Sequence, residues 1–457
     1  MLNLARSRRL VLLCKTPLFI HSVKCTFLYL SILSVLCFRL CFSYLRELKT
    51  IPHEFFTNSM VRQLWEQNTD VVLVDTGNSY EGLCDYVNGK YISYTEEHPI
   101  TMNPFAIKRE ELNIEKIGFL KNLIMLIWKG TNGRITKTED HLIEDVITEY
   151  YDAHFRTRQV AELSFNTFYE YSTRRIPEIV RDNNLEGIDL ATYNYLLKDF
   201  YKGGNHELTL NENLDTALFD ETFIVFEIDS IKDDPLLFPL VTLIIMDVFI
   251  QKMRIKKNRK VLVIEEAWKA IASPMMAEYI KYLYKTARKF WASVGVVTQE
   301  IQDIVGSPIV KEAIINNSDV IMLLDQSKFK ERFDEIKAIL GLTDVDCRKI
   351  FTINRLENKE GRSFFREVFI RRGQNAAVFG VEEPHECYMT YTTERAEKEA
   401  LKLYKRELQC SHQQAIEAYC RDWDRSGISK SLPFAQKVNQ AGRVLNLPDK
   451  KQVKQIV

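Results

Sequence analysis

The sequence predicts an α/β protein in which helices cover both faces of a mostly parallel β-sheet. Short apolar runs without polar alternation, such as Val71–Val74 and Val261–Ile264, are typical of strands buried on both faces. Segments with helical periodicity, many of them longer than ten residues, separate most of these runs. Strands that alternate with helices of this length form parallel sheets, so the fold class follows from the alternation.

Composition agrees with a large soluble domain and excludes several classes of protein. Hydrophobic residues make up 46% and charged residues 27% of 457 residues, which is enough to bury a sizeable core. The 62 basic and 62 acidic residues cancel, so no overall field draws the chain onto nucleic acid or anionic lipid, although a local patch is allowed. Nine scattered cysteines without a CxxC pair predict a reducing compartment and neither a disulfide framework nor a zinc site.

Residues 1–52 differ in amino-acid composition from the rest of the chain. They carry eight Lys or Arg and a single acid, Glu47, around the fourteen-residue apolar run Cys25–Phe38. That run is shorter than the roughly 20 residues that cross a bilayer. Three interpretations stay open: an artefactual or out-of-frame leader, a membrane anchor, or a signal peptide.

The ordered pattern begins at Phe55. Apolar residues recur at helical spacing over Phe55–Trp65, and the buried run Val71–Val74 then ends at Asp75. Asn88-Gly89 lies between two short β-rich stretches within Tyr86–Tyr94 and predicts a hairpin. Residues 108–218 show helical patterns and few strand signals, which predicts an all-α insertion.

Strand signals return after residue 218 and alternate with helices. We predict that four strands are neighbours in one parallel sheet: Val71–Val74, Val261–Ile264, Ser293–Thr298 and Val320–Leu324. Further strands are predicted at Thr222–Ile228 and, as a late antiparallel pair, at Phe364–Arg371 and Ala376–Val381. The predicted organisation is a leader (1–52), a first core part (55–107), the helical insertion (108–218), a second core part (219–392) and a helical tail (393–457).

Acidic residues follow the strand Val261–Ile264 directly. The carboxyl ends of parallel strands face the ligand crevice, so Glu265 and Glu266 are predicted to lie there. One carboxylate can bind Mg²⁺ through water and the next can orient or deprotonate an attacking water, as nucleotide hydrolysis requires. A solvated acidic helix start is the alternative, because carboxylates favour the positive end of the helix dipole.

A second buried strand, Val294–Thr298, ends at Gln299, whose amide can sense a γ-phosphate. Between the two strands, Thr286-Ala287-Arg288-Lys289 supplies cations on a helix that we expect to pack beside the same strand ends. In this order, the motifs predict the rear half of a RecA-like P-loop ATPase core.

These motifs resemble the energising ATPases of conjugative type IV secretion, and most closely the TraG proteins of Bacteroides-type conjugative transposons. The resemblance rests on VLVIEEAW at Val261–Trp268, TARK at Thr286–Lys289, VVTQ at Val296–Gln299 and DTGNSY at Asp75–Tyr80, and it extends from about Phe55 to the C-terminus. It implies a homo-oligomeric, hexameric ATP hydrolase that drives DNA transfer or pilus assembly. It also implies a cytoplasmic location at the inner membrane among other conjugation subunits, with ATP and Mg²⁺ as cofactors and no sequence-specific nucleic-acid binding.

The resemblance also assigns roles by position. Glu265 takes the Walker B place and would hold Mg²⁺, Glu266 would be the catalytic glutamate, and Gln299 would be the sensor. The nucleotide-binding residues would include Arg288, Arg371 and Arg372, with Arg371 or Arg372 reaching a neighbouring subunit's nucleotide. Asp75, at the end of the first strand, is a further nucleotide-binding candidate, and a cap of the following turn is the alternative role. Glutamate at 265, where the family often has aspartate, changes the reach to Mg²⁺.

The phosphate-binding loop is missing from its expected place. A GxxxxGK[ST] loop should precede the helix that begins near Phe55, yet residues 50–58 are TIPHEFFTN and the first glycine of the chain is Gly77. Without glycines the backbone cannot form the nest of N–H groups that cradles phosphate, and the loop lysine is absent as well. Glu54, near the lost hydroxyl position, would repel phosphate.

Three hypotheses for function therefore stay open. The first is a truncated or degenerate conjugation ATPase, inactive as written, so that enzyme activity is undecided. The second is a non-catalytic scaffold subunit that keeps the family's assembly surfaces. The third is a DNA-translocating coupling protein, which shares the RecA-like core but is favoured less because no strong basic and aromatic track is visible.

Overall fold

The computed structural model describes residues 40–42, 53–131, 133–212, 216–265, 274–298, 314–354 and 365–445. Its strands are β1 Leu40–Phe42, β2 Thr69–Asp75, β3 Lys90–Ser93, β4 Phe223–Glu227, β5 Arg259–Ile264, β6 Ala292–Val296, β7 Val320–Leu323, β8 Phe365–Arg372 and β9 Asn375–Glu382. The helices of the N-terminal half are α1 His53–Glu66, α2 Glu81–Tyr86, α3 Ile114–Lys129, α4 Lys137–Phe155, α5 Phe165–Asp182, α6 Leu190–Leu197 and α7 Glu207–Asn211. Those of the C-terminal half are α8 Leu237–Ile255, α9 Pro274–Ala287, α10 Phe333–Leu340, α11 Asp344–Ile350, α12 His385–Tyr391, α13 Arg395–Leu408, α14 His412–Ser426 and α15 Ser431–Ala441.

The central sheet has five parallel strands in the order β3-β4-β2-β5-β6. Strand β2 shows why both faces are covered, since every one of its residues is buried. Val72 and Val74 join the core beneath α8, whereas Val71 and Leu73 join the core beneath α1 and α2. The result is the α/β fold that the apolar runs predict, with helices on both faces of the sheet.

The predicted parallel neighbours are confirmed for three of the four strands. β2, β5 and β6 pair side by side in parallel. The prediction that Val320–Leu324 belongs to the same sheet is wrong, because β7 lies in a second sheet with the order β1-β7-β8-β9. Strand β1 pairs in parallel with β7 and also lies beside β6. β1 belongs to residues 1–52, which the sequence analysis separates from the domain, yet it lies between β6 and β7. The antiparallel pair β8–β9 is confirmed.

The predicted hairpin at Tyr86–Tyr94 is wrong. Residues before Asn88 form helix α2, and Asn88 and Gly89 turn the chain from that helix into β3, which pairs in parallel with β4. Asn88 takes the left-handed conformation (φ 54°) that this turn requires and that asparagine tolerates. A Cβ at Gly89 would lie 2.7 Å from the Phe223 carbonyl oxygen, so the turn sits tightly against β4.

Helices α3 to α7 form a layer that packs against α8. Lys116 in α3 and Asp247 in α8 form a buried ion pair across this contact (Nζ–Oδ2 2.8 Å). Helices α13, α14 and α15 build a separate core of their own, and α12 joins that core to α1 through the rings of Tyr388 and Phe55, whose centroids are 4.9 Å apart. None of the helices in the described ranges combines the length and the apolarity that crossing a membrane would take.

Candidate functional site

Three buried carboxylates stand in a row at the carboxyl ends of neighbouring parallel strands. Asp75 ends β2, Glu227 ends β4, and Glu265 follows β5 directly. Asp75 pairs with Glu227 in the ladder, and Val74 pairs with Ile264, so the three acids lie at the same level. Their exposures are only 0%, 3% and 5%. This is the edge at which α/β sheets bind ligands.

The turn after β2 holds two of these acids. Asp75 Oδ2 accepts hydrogen bonds from the backbone N–H groups of Ser79 (2.7 Å) and Tyr80 (3.2 Å). Glu227 Oε2 accepts one from the N–H of Asn78 at 2.8 Å, which Asn78 presents from the left-handed conformation (φ 54°). The DTGNSY sequence at residues 75–80 therefore forms a loop that wraps its own aspartate and the glutamate of the next strand.

Two tyrosines complete the network. The Tyr80 hydroxyl donates to Glu265 Oε1, so the carboxylate predicted for Mg²⁺ already has a partner within the protein. The Tyr91 hydroxyl lies 3.2 Å from Glu227 Oε2 and 3.0 Å from Asn78 Oδ1 and can donate to one of them. Burial, followed by the charge of Glu227, raises the pKa of Tyr91, so this phenol keeps its proton.

The electrostatic environment of the three carboxylates favours the protonated form of Asp75. Burial is the largest cause that raises the pKa of Asp75 well above its ordinary value, and the neighbouring Glu227 and Glu265 raise it further. The Ser79 N–H opposes this effect but does not reverse it. Asp75 Oδ1 accepts no hydrogen bond from any described residue. A proton or a cation at the crevice would relieve this repulsion.

The site residues predicted from sequence divide into three groups. Asp75 and Glu265 lie together, on adjacent strands of one edge. Glu266 and Gln299 lie outside the described residues, although the strand leading to Gln299 is aligned with β5 through the bond from the Val297 N–H to the Ile264 carbonyl oxygen (2.9 Å). Glu227 was missed, and the signal that could have found it is its position at the end of the predicted strand Thr222–Ile228.

The arginines lie elsewhere. Arg288 follows α9 and precedes β6, so it is at the amino-terminal edge of the parallel sheet, opposite Glu265. The expectation that the cations of Thr286–Lys289 pack beside the carboxyl ends of the strands is therefore wrong. Arg371 and Arg372 end β8 opposite the start of β7. Arg371 donates to the carbonyl oxygens of Gly341 (2.9 Å) and Leu340 (2.5 Å), where it closes the end of α10.

The place of a phosphate loop can be located from the flanking elements. β1 ends at Phe42 and α1 begins at His53, and the residues between them lie outside the described ranges. In a P-loop protein the phosphate loop joins a strand to the helix that follows it. Residues 43–54 contain no glycine, and His53 and Glu54 stand where lysine and Ser or Thr would begin the helix. These residues do not fit a phosphate group. The carboxylate of Glu265 fits Mg²⁺ held through water, and the described residues contain no group of three or more ligands that could form an all-protein metal site.

Comparison with known proteins gives the family. Residues 52–423 match the TraG P-loop domain. Protein TraC of Escherichia coli strain K12 is 22% identical over 290 residues, which are 61% of this chain and 31% of TraC, so the chain spans about a third of that relative's length.

One solved structure supports the fold, and a second is reported as a more distant match. The structure of VirB4 of Thermoanaerobacter pseudethanolicus is 20% identical and superimposes with a TM-score of 0.57 over 77% of this chain and 91% of VirB4. The plasmid coupling protein TrwB, solved in complex with ADP and Mg²⁺, is more distant, with 11% identity and a TM-score of 0.46 over 75% of this chain and 84% of TrwB. The match to the family covers most of the chain, and this chain belongs to the TraG P-loop domain family.

Proposed function

We propose that this chain is a degenerate motor ATPase of bacterial conjugation that hydrolyses ATP negligibly as written. The observation that carries the proposal is a buried acidic row at the strand ends, the acidic side of the predicted nucleotide crevice, together with a sequence before α1 that lacks a phosphate loop on the phosphate side. Asp75, Glu227 and Glu265 form the acidic side, and Glu266 and Gln299 would supply the catalytic glutamate and the sensor. On the phosphate side, residues 43–54 offer neither glycine nor a GK[ST] sequence.

The expected loss of activity follows from how phosphoryl transfer is catalysed. Positioning and charge stabilisation do most of the work, and both come largely from the phosphate loop and its lysine. Removal of a single preorganised donor costs about 3 kcal/mol, or roughly a hundredfold in rate. Here the backbone donors, the lysine and the Ser or Thr ligand are missing together, so we expect nucleotide affinity and turnover to be lost together.

The wider assignment is part of the same proposal. Residues 55–107 and 219–392 form the ATPase core, 108–218 the helical insertion, and 393–457 the helical tail. The working assembly is a homo-oligomer, hexameric as in the family, that acts with other conjugation subunits at the inner membrane. Arg288, Arg371 or Arg372 would contact nucleotide only across a subunit boundary, because Arg288 lies at the other edge of its own sheet and Arg371 and Arg372 end β8, opposite the start of β7.

The test restores the missing loop. Replacement of residues 47–54 by GxxxxGKS places the lysine and serine at the start of α1, as a P-loop requires. ATP binding and phosphate release are measured for the unmodified chain, for the grafted chain, and for a grafted control whose loop lysine is alanine. We expect nucleotide binding in the grafted chain alone. The lysine-to-alanine control should bind as little nucleotide as the unmodified chain.

Two results would contradict the proposal. Robust turnover by the unmodified chain would show that a phosphate site exists without the loop. A grafted chain that keeps its native circular dichroism yet binds no nucleotide would show that the acidic side is not a nucleotide crevice. The second result would favour a non-catalytic scaffold subunit, in which the buried cores are intact and the crevice has no ligand.

A further inference from the structure

The amino-terminal edge of the central sheet carries an exposed surface, at the opposite end of the strands from the acidic row. Two turns form it: residues 255–259, between α8 and β5, and residues 288–291, between α9 and β6. We call this surface the basic edge. Ile255 and Trp291 are large apolar residues on it, and they are 58% and 57% exposed.

A buried lysine joins the two turns into one rigid unit. The Lys260 ammonium group donates to the carbonyl oxygens of Asn258 (2.6 Å) and Phe290 (3.3 Å), one in each turn. The Lys260 N–H also donates to the Trp291 carbonyl oxygen at 3.0 Å. Trp291 itself has left-handed backbone (φ 57°), which is unfavourable for a bulky residue and is maintained only where the surrounding structure fixes it. The tryptophan is therefore presented to solvent by a preformed turn.

The charge of the basic edge is positive. Four of its basic residues form no ion pair with any residue that the structure describes: Lys257, Arg259, Arg288 and Lys289. Two further cations at this end are paired, Arg254 with Glu115 and Lys256 with Asp220. The negative ends of α8 and α9 explain why cations collect here. They do not explain why an isoleucine and a tryptophan are exposed among the cations.

We propose that the basic edge binds the surface of an anionic phospholipid bilayer. Lysine and arginine attract acidic headgroups, and tryptophan with an aliphatic neighbour enters the headgroup boundary, which is the combination that peripheral membrane surfaces use. Single-stranded nucleic acid is the competing partner, but it needs successive exposed aromatic platforms, and among the described residues of the two turns Trp291 is the one exposed aromatic. The inference rests on the proposed location at the inner membrane and names the surface that would face it.

The emission of Trp291 tests the proposal in the full chain. Because residues 1–52 contain no tryptophan, binding through that segment leaves the tryptophan signal unchanged. Vesicles of phosphatidylglycerol and phosphatidylcholine should shift the emission to the blue, whereas phosphatidylcholine alone should not. Trp291→Phe should lose the shift, and Trp65→Phe, on the half-buried face of α1, should keep it.

A charge reversal tests the electrostatic part. Lys257→Glu with Lys289→Glu, one change in each turn, should lower the affinity that Trp291 reports for anionic vesicles at least about tenfold. Lys402→Glu with Arg406→Glu reverses the same number of exposed charges on α13 and should have little effect.

Several outcomes would overturn the proposal. These are the absence of a shift with anionic vesicles, a shift that persists in Trp291→Phe, and equal losses in the two charge-reversed variants. A shift produced by single-stranded oligonucleotide but not by vesicles would assign the surface to nucleic acid. None of these measurements uses nucleotide, so they succeed or fail independently of the loop graft.

Discussion

At the scale of single residues, the buried aspartate of the acidic row has the clearest energetic consequence. Asp75 has no exposed surface and lies beside two other carboxylates without a cation among its described partners. Its pKa in the folded protein is raised above the ordinary value of 3.8. The folded state therefore keeps a proton that the unfolded chain releases, and the protein loses stability as the pH rises from about 3.8 to the folded pKa.

We predict that Asp75→Asn stabilises the fold at neutral pH. Asparagine reproduces the shape of the protonated acid, can still accept from Ser79, and carries no charge to repel Glu227. The gain should be about 1.4 kcal/mol for each unit by which the folded and unfolded pKa values differ. Urea unfolding at a series of pH values measures it, and the variant's stability should decline less above pH 4 than that of the wild type.

The matched control is Asp85→Asn, an exposed aspartate in α2, which should leave the profile nearly unchanged. An Asp75→Asn variant less stable than the wild type at pH 7 would contradict a protonated Asp75. That result would mean that the negative charge is needed, for example to bind a cation.

At the scale of elements, a buried ion pair fastens the helical layer to the core. Lys116 in α3 and Asp247 in α8 have side-chain exposures of 8% and 5%. Asp247 also accepts a hydrogen bond from Gln251 at 2.8 Å, so its carboxylate is well satisfied. Loss of one partner would leave a buried charge without its counter-ion, which is more costly than loss of the pair.

We predict that Lys116→Met destabilises the protein by about 3 kcal/mol or more, and that Lys116→Met with Asp247→Leu costs less than the sum of the single changes. Urea denaturation of the four members of the cycle measures the coupling. On the same helix, Lys121 pairs with Asp140 and Glu144, which are nearly half exposed. Lys121→Met should therefore cost no more than about 1 kcal/mol. Equal costs for Lys116→Met and Lys121→Met would refute the role given to the buried pair.

At the scale of the whole molecule, the C-terminal helices are part of the folding unit. The match to the family ends at residue 423, within α14, but the core of these helices continues through Phe434 and Val438 in α15. α12 joins this core to α1, where the Arg62 guanidinium donates to Cys387 Sγ at 3.3 Å. We expect the helices and the sheet to unfold together.

We predict that Phe434→Ala lowers the free energy of unfolding of the whole chain by about 3–5 kcal/mol. Phe434 is fully buried and packs edge-on against Tyr419, with ring centroids 5.0 Å apart. Leu432→Ala, in the same helix but partly exposed, should cost less than about 1 kcal/mol. Unfolding followed by both circular dichroism and tryptophan fluorescence decides the point. A separate transition that alone responds to Phe434→Ala would show that the C-terminal helices unfold independently.

The sequence by itself determined the features that depend on local pattern. Apolar runs located β2, β5 and β6, and the acids that follow them placed Asp75 and Glu265 at the carboxyl ends of adjacent strands. Absence of glycine before residue 77 was enough to predict a missing phosphate loop. Each of these inferences needs only a few consecutive residues, because the burial of a strand and the conformational freedom of a loop depend on the residue types within a short stretch of chain.

Only the tertiary structure decided which distant stretches meet. Register across strands far apart in sequence placed Glu227 beside Asp75 and brought the Tyr80 hydroxyl to Glu265. β7 has β1 and β8 as its neighbours in a second sheet, and the direction of β6 places Arg288 at the edge opposite the acidic row. Strand order and register are set by how whole faces pack, and side-chain periodicity within one strand is the same whichever neighbour it takes.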